Sequence, residues 1–292
     1  MLSTNHKIAI LTDSCADVPK EYADKYHIYT VPMLITCEDG EYKDGVTIHA
    51  EDVYARLHNN ELPKTSTPLG GDIEAMLDSL KENGYQHVLA IMISGGLSST
   101  VQSTRLIAEE HEMDVYVVDS LSASIGNGSI VVQAAKWRDS GMDFETLCKK
   151  VEELTHHSPV FFSIDTLEYL MKGGRIGKAT ALVGTALNIK PILSFDMEGE
   201  IYSAAKVRGS KAIIKKLLAL IEEEYNKPEH KGMAYNLVVA DGGAPEARDE
   251  LEAELVKKFP DAKDLIRAKI GAALSVYLGD ELLGAGIQFV NE

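Results

Sequence analysis

Short apolar runs alternate with amphipathic stretches through the first 120 residues, and this alternation constrains the fold most. KIAILTDS (7 to 14), IYTVPMLIT (28 to 36), HVLAIMIS (87 to 94) and DVYVVDS (114 to 120) are rich in Val, Ile and Leu and have the length of buried strands. Helical patterns lie between them. VPKEYADKY is one, and DIEAMLDSLKEN sets Ile73, Met76, Leu77 and Leu80 on one face. STVQSTRLIAEEH is a third. Strands alternating with helices predict a mainly parallel sheet covered on both sides.

The loops after these strands carry hydroxyls. Thr12-Asp13-Ser14 follows the first strand, and Thr65-Ser66-Thr67-Pro68 precedes the helix at 72. Ser94-Gly95-Gly96-Leu97-Ser98-Ser99-Thr100 follows the strand at 87. Asp119-Ser120, Ser122, Ser124, Gly126 and Gly128 follow the strand at 114. Thr67 with Pro68 predicts an N-cap with Pro at the first helical position, and Ser98 or Ser99 can cap the helix carrying Arg105. Any one such loop is explained by capping. Four in one half-chain, gathered at the carboxyl edge of a parallel sheet where helix N-termini favour negative charge, predict a site for an acidic head group.

The second half changes style. A helical pattern covers 136 to 157, with Trp137 and then FETLCKKVEELTHH. VFFSID, KPILSFD, EIYSAAKV, NLVVAD and AGIQFV then read as strands, and Met197-Glu198-Gly199 joins two of them at hairpin spacing. KAIIKKLLALIEEEY and PEARDELEAELVKKF are amphipathic helices. The expected organisation is therefore an N-terminal Rossmann-like α/β domain over 1–160 and a C-terminal mixed-sheet α/β domain over 161–292, with the ligand between them.

Composition narrows function. Of 292 residues, 29 are Lys or Arg and 45 are Asp or Glu, a net charge of −16. Nucleic acid and anionic membrane surfaces need basic patches, so neither is expected as a partner. No run is long enough for stable membrane insertion, no export signal opens the chain, and three scattered cysteines (Cys15, Cys37, Cys148) suggest a reducing compartment. A cytoplasmic location is expected.

Familiar chemical motifs fail. Gly173 to Gly177-Lys178 has three residues between its glycines where a phosphate loop has four, and Ala179 stands where the magnesium-binding hydroxyl belongs. Gly126-Asn127-Gly128 begins a dinucleotide fingerprint, but position 131 is Val. His156-His157 cannot share a helix face as metal ligands do, and reads as a surface helix end. Ser98 has no identifiable base. No cofactor, metal or catalytic residue is expected.

Several weak motifs occur in order: Thr12-Asp13-Ser14, Thr65-Ser66-Thr67-Pro68, Ile93-Ser94-Gly95-Gly96-Leu97-Ser98, Asp119-Ser120 with Gly126 and Gly128, Leu167-Glu168-Tyr169-Leu170 with Gly173-Gly174-Arg175-Ile176-Gly177, Lys190-Pro191-Ile192-Leu193, and Lys206-Val207-Arg208. Together they resemble, over essentially the whole length, the DegV family of bacterial fatty-acid-binding proteins, the lipid-binding subunits of fatty acid kinase. The resemblance implies two α/β domains, the first doubly wound and the second built on a mixed sheet. It implies a long-chain fatty acid in a buried tunnel between them, presented to a kinase catalytic subunit for phosphorylation toward phospholipid synthesis.

Carried onto this chain, the carboxylate-binding hydroxyls are Thr65 and Ser98. Ser66, Ser94, Gly96, Arg175 and Tyr277 are expected to support the head-group region, with the KGGRIG turn aiming Arg175 towards it. Leu182, Val183, Leu187 and Ile192 supply apolar side chains near the motifs. The chain departs from the family pattern at Leu69 (Ser or Ala), Thr67 (usually Gln), Tyr277 (His) and Asp280-Glu281 (small residues). A phenol can donate a hydrogen bond but brings no positive charge. A carboxylate pair would repel an anionic head group, so Asp280 and Glu281 are expected to face solvent; a different head group or a lost kinase partnership are the alternatives. A second functional class remains open at this level: an enzyme acting on a small phosphorylated or hydroxylated metabolite in the same crevice. It predicts a short polar pocket with a titratable base, where the carrier predicts a long apolar one.

Overall fold

The structure is a computed structural model that describes residues 7–182, 189–209 and 211–291. The first half runs β1 (Ile8–Asp13), α1 (Lys20–Tyr26), β2 (Ile28–Val31), β3 (Leu34–Cys37), β4 (Gly40–Lys43), α2 (Ala50–His58), β5 (Lys64–Ser66), α3 (Gly70–Glu82), β6 (His87–Met92), α4 (Thr100–Glu110), β7 (Asp114–Asp119), α5 (Ile125–Asp139) and α6 (Phe144–Thr155). The second runs β8 (Val160–Ser163), α7 (Glu168–Lys172), β9 (Ile189–Phe195), β10 (Ile201–Arg208), α8 (Lys211–Tyr225), β11 (Ala234–Gly242), α9 (Pro245–Lys258), β12 (Leu265–Lys269), α10 (Ala272–Leu278) and β13 (Leu282–Val290).

A parallel sheet has the order β2-β1-β6-β7. A mixed sheet has the order β10-β9-β8-β13-β11-β12, with only the β11/β12 pair parallel. Side chains alternate across the strands. In β1, Ala9 and Leu11 pack with Ile73, Leu77 and Leu80 of α3 on the outer face, while Ile8 and Ile10 face inward. Leu237, Val239, Leu283 and Ile287 likewise face α8 and α9. The inner faces of both sheets share one core, with Ile10, Leu89 and Ile91 on one side and Val238, Ala240 and Leu282 on the other.

Helix α5 occupies the space between the sheets, and Ile125 through Ala135 are buried without a solvent face. This places Gly126 and Gly128 inside a helix, where a loop was expected. The reason is steric. A Cβ on Gly128 would lie 2.3 Å from the Ala16 carbonyl oxygen, and one on Gly126 2.1 Å from Ser122 Oγ. These glycines permit close approach of a helix to the Ala16 backbone and to the Ser122 side chain.

The expected strand over 28 to 36 is two strands. Pro32 has no N–H for a ladder, and beyond it the chain leaves the parallel sheet. Residues 34–37 instead form the centre of a small antiparallel sheet, β4-β3-β5. The β9/β10 hairpin forms as expected, with Gly199 at φ +72° in its turn.

Candidate functional site

The parallel sheet reverses direction of growth between β1 and β6, so the loops leaving their carboxyl ends diverge and open a crevice. Asp13 ties the two ends together, accepting from the Cys15 N–H at 2.9 Å and the Ile93 N–H at 2.7 Å. The crevice continues into a cavity of about 340 Å3 between the sheets, within the range of small-molecule sites. Its walls are mostly apolar. Met33, Ile93 and Ile125 come from the first half, and Phe162, Phe195 and Leu282 from the second. Ala240, Gly284 and Ala285 keep the mixed-sheet side shallow.

Five of the expected residues line this cavity: Thr65, Ser66, Ser98, Arg175 and Tyr277. Thr65 sits in β5, paired with Ile35 of β3. Its Oγ1 lies 2.6 Å from the Tyr277 hydroxyl. Thr67 also lines the cavity rather than capping a helix. Helix α3 starts later, with Leu69 as N-cap and no side-chain cap bond, because Leu69 is still extended (φ −61°, ψ 137°). Ser98 lies 2.8 Å from Thr100 Oγ1 and accepts weakly from the Thr100 N–H at 3.3 Å. It therefore caps α4 only in part and still faces the cavity.

Ser94 and Gly96 do not line the cavity. Ser94 is fully buried and donates to the Gly199 carbonyl at 2.8 Å, while its oxygen accepts from the Gly96 N–H. A Cβ on Gly96 would stand 2.8 Å from that same carbonyl oxygen. These residues seat the loop bearing Ser98 against the β9/β10 turn.

The KGGRIG stretch forms a turn after α7, with Gly174 at φ +72° and Gly177 at φ +53°. Arg175 donates to the carbonyls of Gly173 (2.7 Å) and Leu97 (3.3 Å), and its guanidinium carbon is 5.3 Å from the Tyr277 ring centroid. The Tyr277 ring also lies so close to Gly173 that a Cβ there would be 2.3 Å from Cε1. The phenol is thus held by a glycine backbone, a cation and Thr65.

Tyr277 rides on α10, whose N-terminus is held by carboxylates. Asp17 accepts from the Gly271 N–H and Asp44 from the Ala272 N–H, both at 2.9 Å. Asp17 also accepts from Ser124 Oγ at 2.6 Å. Burial raises all three carboxyls, Asp13 up to about 6, with Asp17 and Asp44 in the same direction. Backbone N–H donors oppose that rise. Burial also pushes the Cys15 thiol well up, with Asp13 adding to it, so a thiol and not a thiolate faces the cavity. Among the described residues no carboxylate or imidazole lines the cavity.

Other expectations resolve differently. Asp280 pairs with His58 at 2.9 Å, Glu281 is exposed, and neither lines the cavity. Leu182 and Ile192 are buried but do not line it, since Ile192 faces α8 across the mixed sheet. Val183 and Leu187 lie outside the described residues. His157 is not a plain surface residue: its ring packs edge-on against His230, and the nearest ring nitrogens are 3.3 Å apart. Ser124, from one of the expected hydroxyl loops, also lines the cavity, while Cys15 and the apolar residues of α10 (Ala273, Leu274, Leu278) carry no signal in the sequence pattern. Strand alternation could have found Phe162, which faces inward while Phe161 faces out.

A family model described as "Uncharacterised protein, DegV family" matches residues 7–290. A DegV domain-containing protein of Clostridium acetobutylicum is 37% identical over 282 residues, covering 96% of this chain and 98% of that protein. Among solved structures, a DegV family protein of Thermus thermophilus, described for its fatty acid binding, superposes with a TM-score of 0.90 at 29% identity, covering 97% of this chain and 100% of that one. DegV of Bacillus subtilis, described as a fatty acid binding protein, gives 0.86 at 29% identity, covering 97% and 99%. A stearic acid-binding protein of Eubacterium ventriosum gives 0.86 at 25% identity, covering 97% and 98%. With the two-sheet arrangement and the family match agreeing over nearly the whole length, the chain belongs to the DegV family.

Proposed function

We propose that the protein is a non-catalytic, cytoplasmic carrier that binds a long-chain fatty acid in the cavity between its sheets. The carboxylate is held by the hydroxyls of Thr65 and Ser98, with Tyr277 and Arg175 beside them. The observation that carries this reading is an apolar cavity whose polar end is built from hydroxyls and one guanidinium. The binding descriptions of the Thermus thermophilus, Bacillus subtilis and Eubacterium ventriosum proteins support it.

The energetics suit the division of labour. Each buried methylene contributes about 0.8 kcal/mol, so a long acyl chain supplies on the order of 10 kcal/mol before its ordering entropy is subtracted. Each hydrogen bond to the carboxylate adds roughly 1.5–3 kcal/mol. The chain then sets affinity and the hydroxyls set orientation. Held at the rim by hydroxyls, with Arg175 beside them, the carboxylate remains available to a fatty acid kinase catalytic subunit that brings ATP, for phosphorylation toward phospholipid synthesis.

Native mass spectrometry of the purified protein, followed by extraction and lipid identification, tests the proposal. One fatty acid per chain is expected, with affinity reduced at least 100-fold in a Thr65→Ala/Ser98→Ala variant, about 3 kcal/mol or more at 1.4 kcal/mol per decade. Absence of bound lipid together with no uptake of added fatty acid would overturn it.

A further inference from the structure

Behind the Thr65–Tyr277 hydrogen bond lies a second cavity of about 350 Å3, and Thr65, Arg175 and Tyr277 line both. The two chambers are therefore in series, with the Tyr277 ring in the partition between them. Their linings differ. The inner chamber is apolar beyond its rim. In the outer one, among the described residues, every charged side chain is cationic: Lys64 on β5, Lys172 at the end of α7, and Arg175. Lys172 shares its charge with Glu168 at 2.5 Å, while the Arg175 partners are carbonyls.

This concentration of positive charge stands out in a chain of net charge −16. A cleft of one sign focuses field lines and raises the capture rate of an oppositely charged ligand by about 10- to 1,000-fold. The partition is held by few contacts: one hydrogen bond from the phenol to Thr65, the Arg175 guanidinium over the ring, and the Gly173 backbone beneath it.

We propose that the outer cleft is an anion-binding vestibule, in which Lys64, Lys172 and Arg175 capture the carboxylate of a free long-chain acid while its tail passes Tyr277 into the inner chamber. This rests on the reading that the inner chamber holds a fatty acid. The vestibule acts on rate, and Tyr277 separates capture from storage. Displacement of Tyr277 by the entering tail frees the Thr65 hydroxyl for the carboxylate that follows.

Stopped-flow fluorescence with cis-parinaric acid, and with its methyl ester as the uncharged probe, tests this on the full chain. Both lysines are exposed, so a Lys64→Gln/Lys172→Gln variant is compared with wild type across ionic strengths. The acid is expected to associate about tenfold more slowly with the variant, with a flattened salt dependence, and the ester at the wild-type rate. Tyr277→Phe keeps the ring but removes its bond to Thr65, and is expected to speed both association and dissociation several-fold. An unchanged association rate for the acid in the lysine variant, or equal slowing of acid and ester, would overturn the vestibule. Failure of cis-parinaric acid to bind wild type at all would overturn the fatty acid reading, and this inference with it.

Discussion

Asp13 shows how a single side chain can serve architecture at an electrostatic cost. Its carboxylate closes the gap between the ends of β1 and β6 by accepting two backbone N–H groups. Full burial nonetheless raises it from 3.8 to about 6. The folded chain thus holds this proton more tightly than the unfolded chain does. Asp13 contributes most to stability below about pH 3.8, and the contribution is lost as pH rises through about 6. The difference of roughly two pKa units corresponds to about 3 kcal/mol. His157 works in the opposite sense, since burial beside His230 lowers it and its protonation disfavours the fold as pH falls below its ordinary 6.5. Comparison with Asp13→Asn isolates the carboxyl. Between pH 4 and 6.5 the variant's melting temperature should rise more steeply with pH than that of wild type. Identical slopes would mean Asp13 does not titrate in this window. Direct observation of its carboxyl carbon by NMR should give a midpoint near 6.

At the scale of elements, α5 behaves as a shared wall, and its first turn depends on having no side chains at two positions. Alanine is the better helix former by about 1 kcal/mol. At position 128 that gain is outweighed, because the obstacle 2.3 Å away is the Ala16 carbonyl, a backbone atom between Cys15 and Asp17. Gly128→Ala is expected to destabilise by about 1–3 kcal/mol in denaturant unfolding and to weaken ligand binding through the displaced Cys15. Unchanged stability would show that the 14–17 loop can retreat freely. The same helix marks what the sequence conceals. Long periodic segments such as α3, α8 and α9 and the buried strands were legible, because their pattern follows from facing a core on one side or two. Gly126 and Gly128 resemble loop residues because a glycine that permits contact looks like a glycine that permits a turn. The small sheet around β3 was invisible because its strands are three or four residues long and depend on tertiary partners. Thr65, Ser98, Arg175 and Tyr277 were placed by resemblance. Their meeting at one cavity depends on α7, α10 and β5, none of which the sequence pattern announces.

For the molecule as a whole, the cavity makes one unit of two sheets. Its walls come from loops of the parallel sheet, inner strands of the mixed sheet and α10, which packs against α2 of the first half while following β12 of the second. On the proposed function, an acyl chain bound there touches both sides and is lost when either opens. A fatty acid at about 100 times its Kd should add about 2.7 kcal/mol to folding. That corresponds to a rise of about 4–6 °C in melting temperature. The rise should appear in a single transition reporting both sheets. Two transitions, only one of them shifted, would show that the sheets unfold independently.

The inner chamber has a mechanical consequence as well. It is roughly 340 Å3 of interior that the chain does not fill with its own side chains, in a class of molecules whose interiors otherwise pack as densely as organic crystals. Hydrostatic pressure favours whichever state eliminates such volume. On the proposed function, the empty protein is softer to compression than the one whose chamber an acyl chain fills. A lipid bound there would be the removable part of the hydrophobic core.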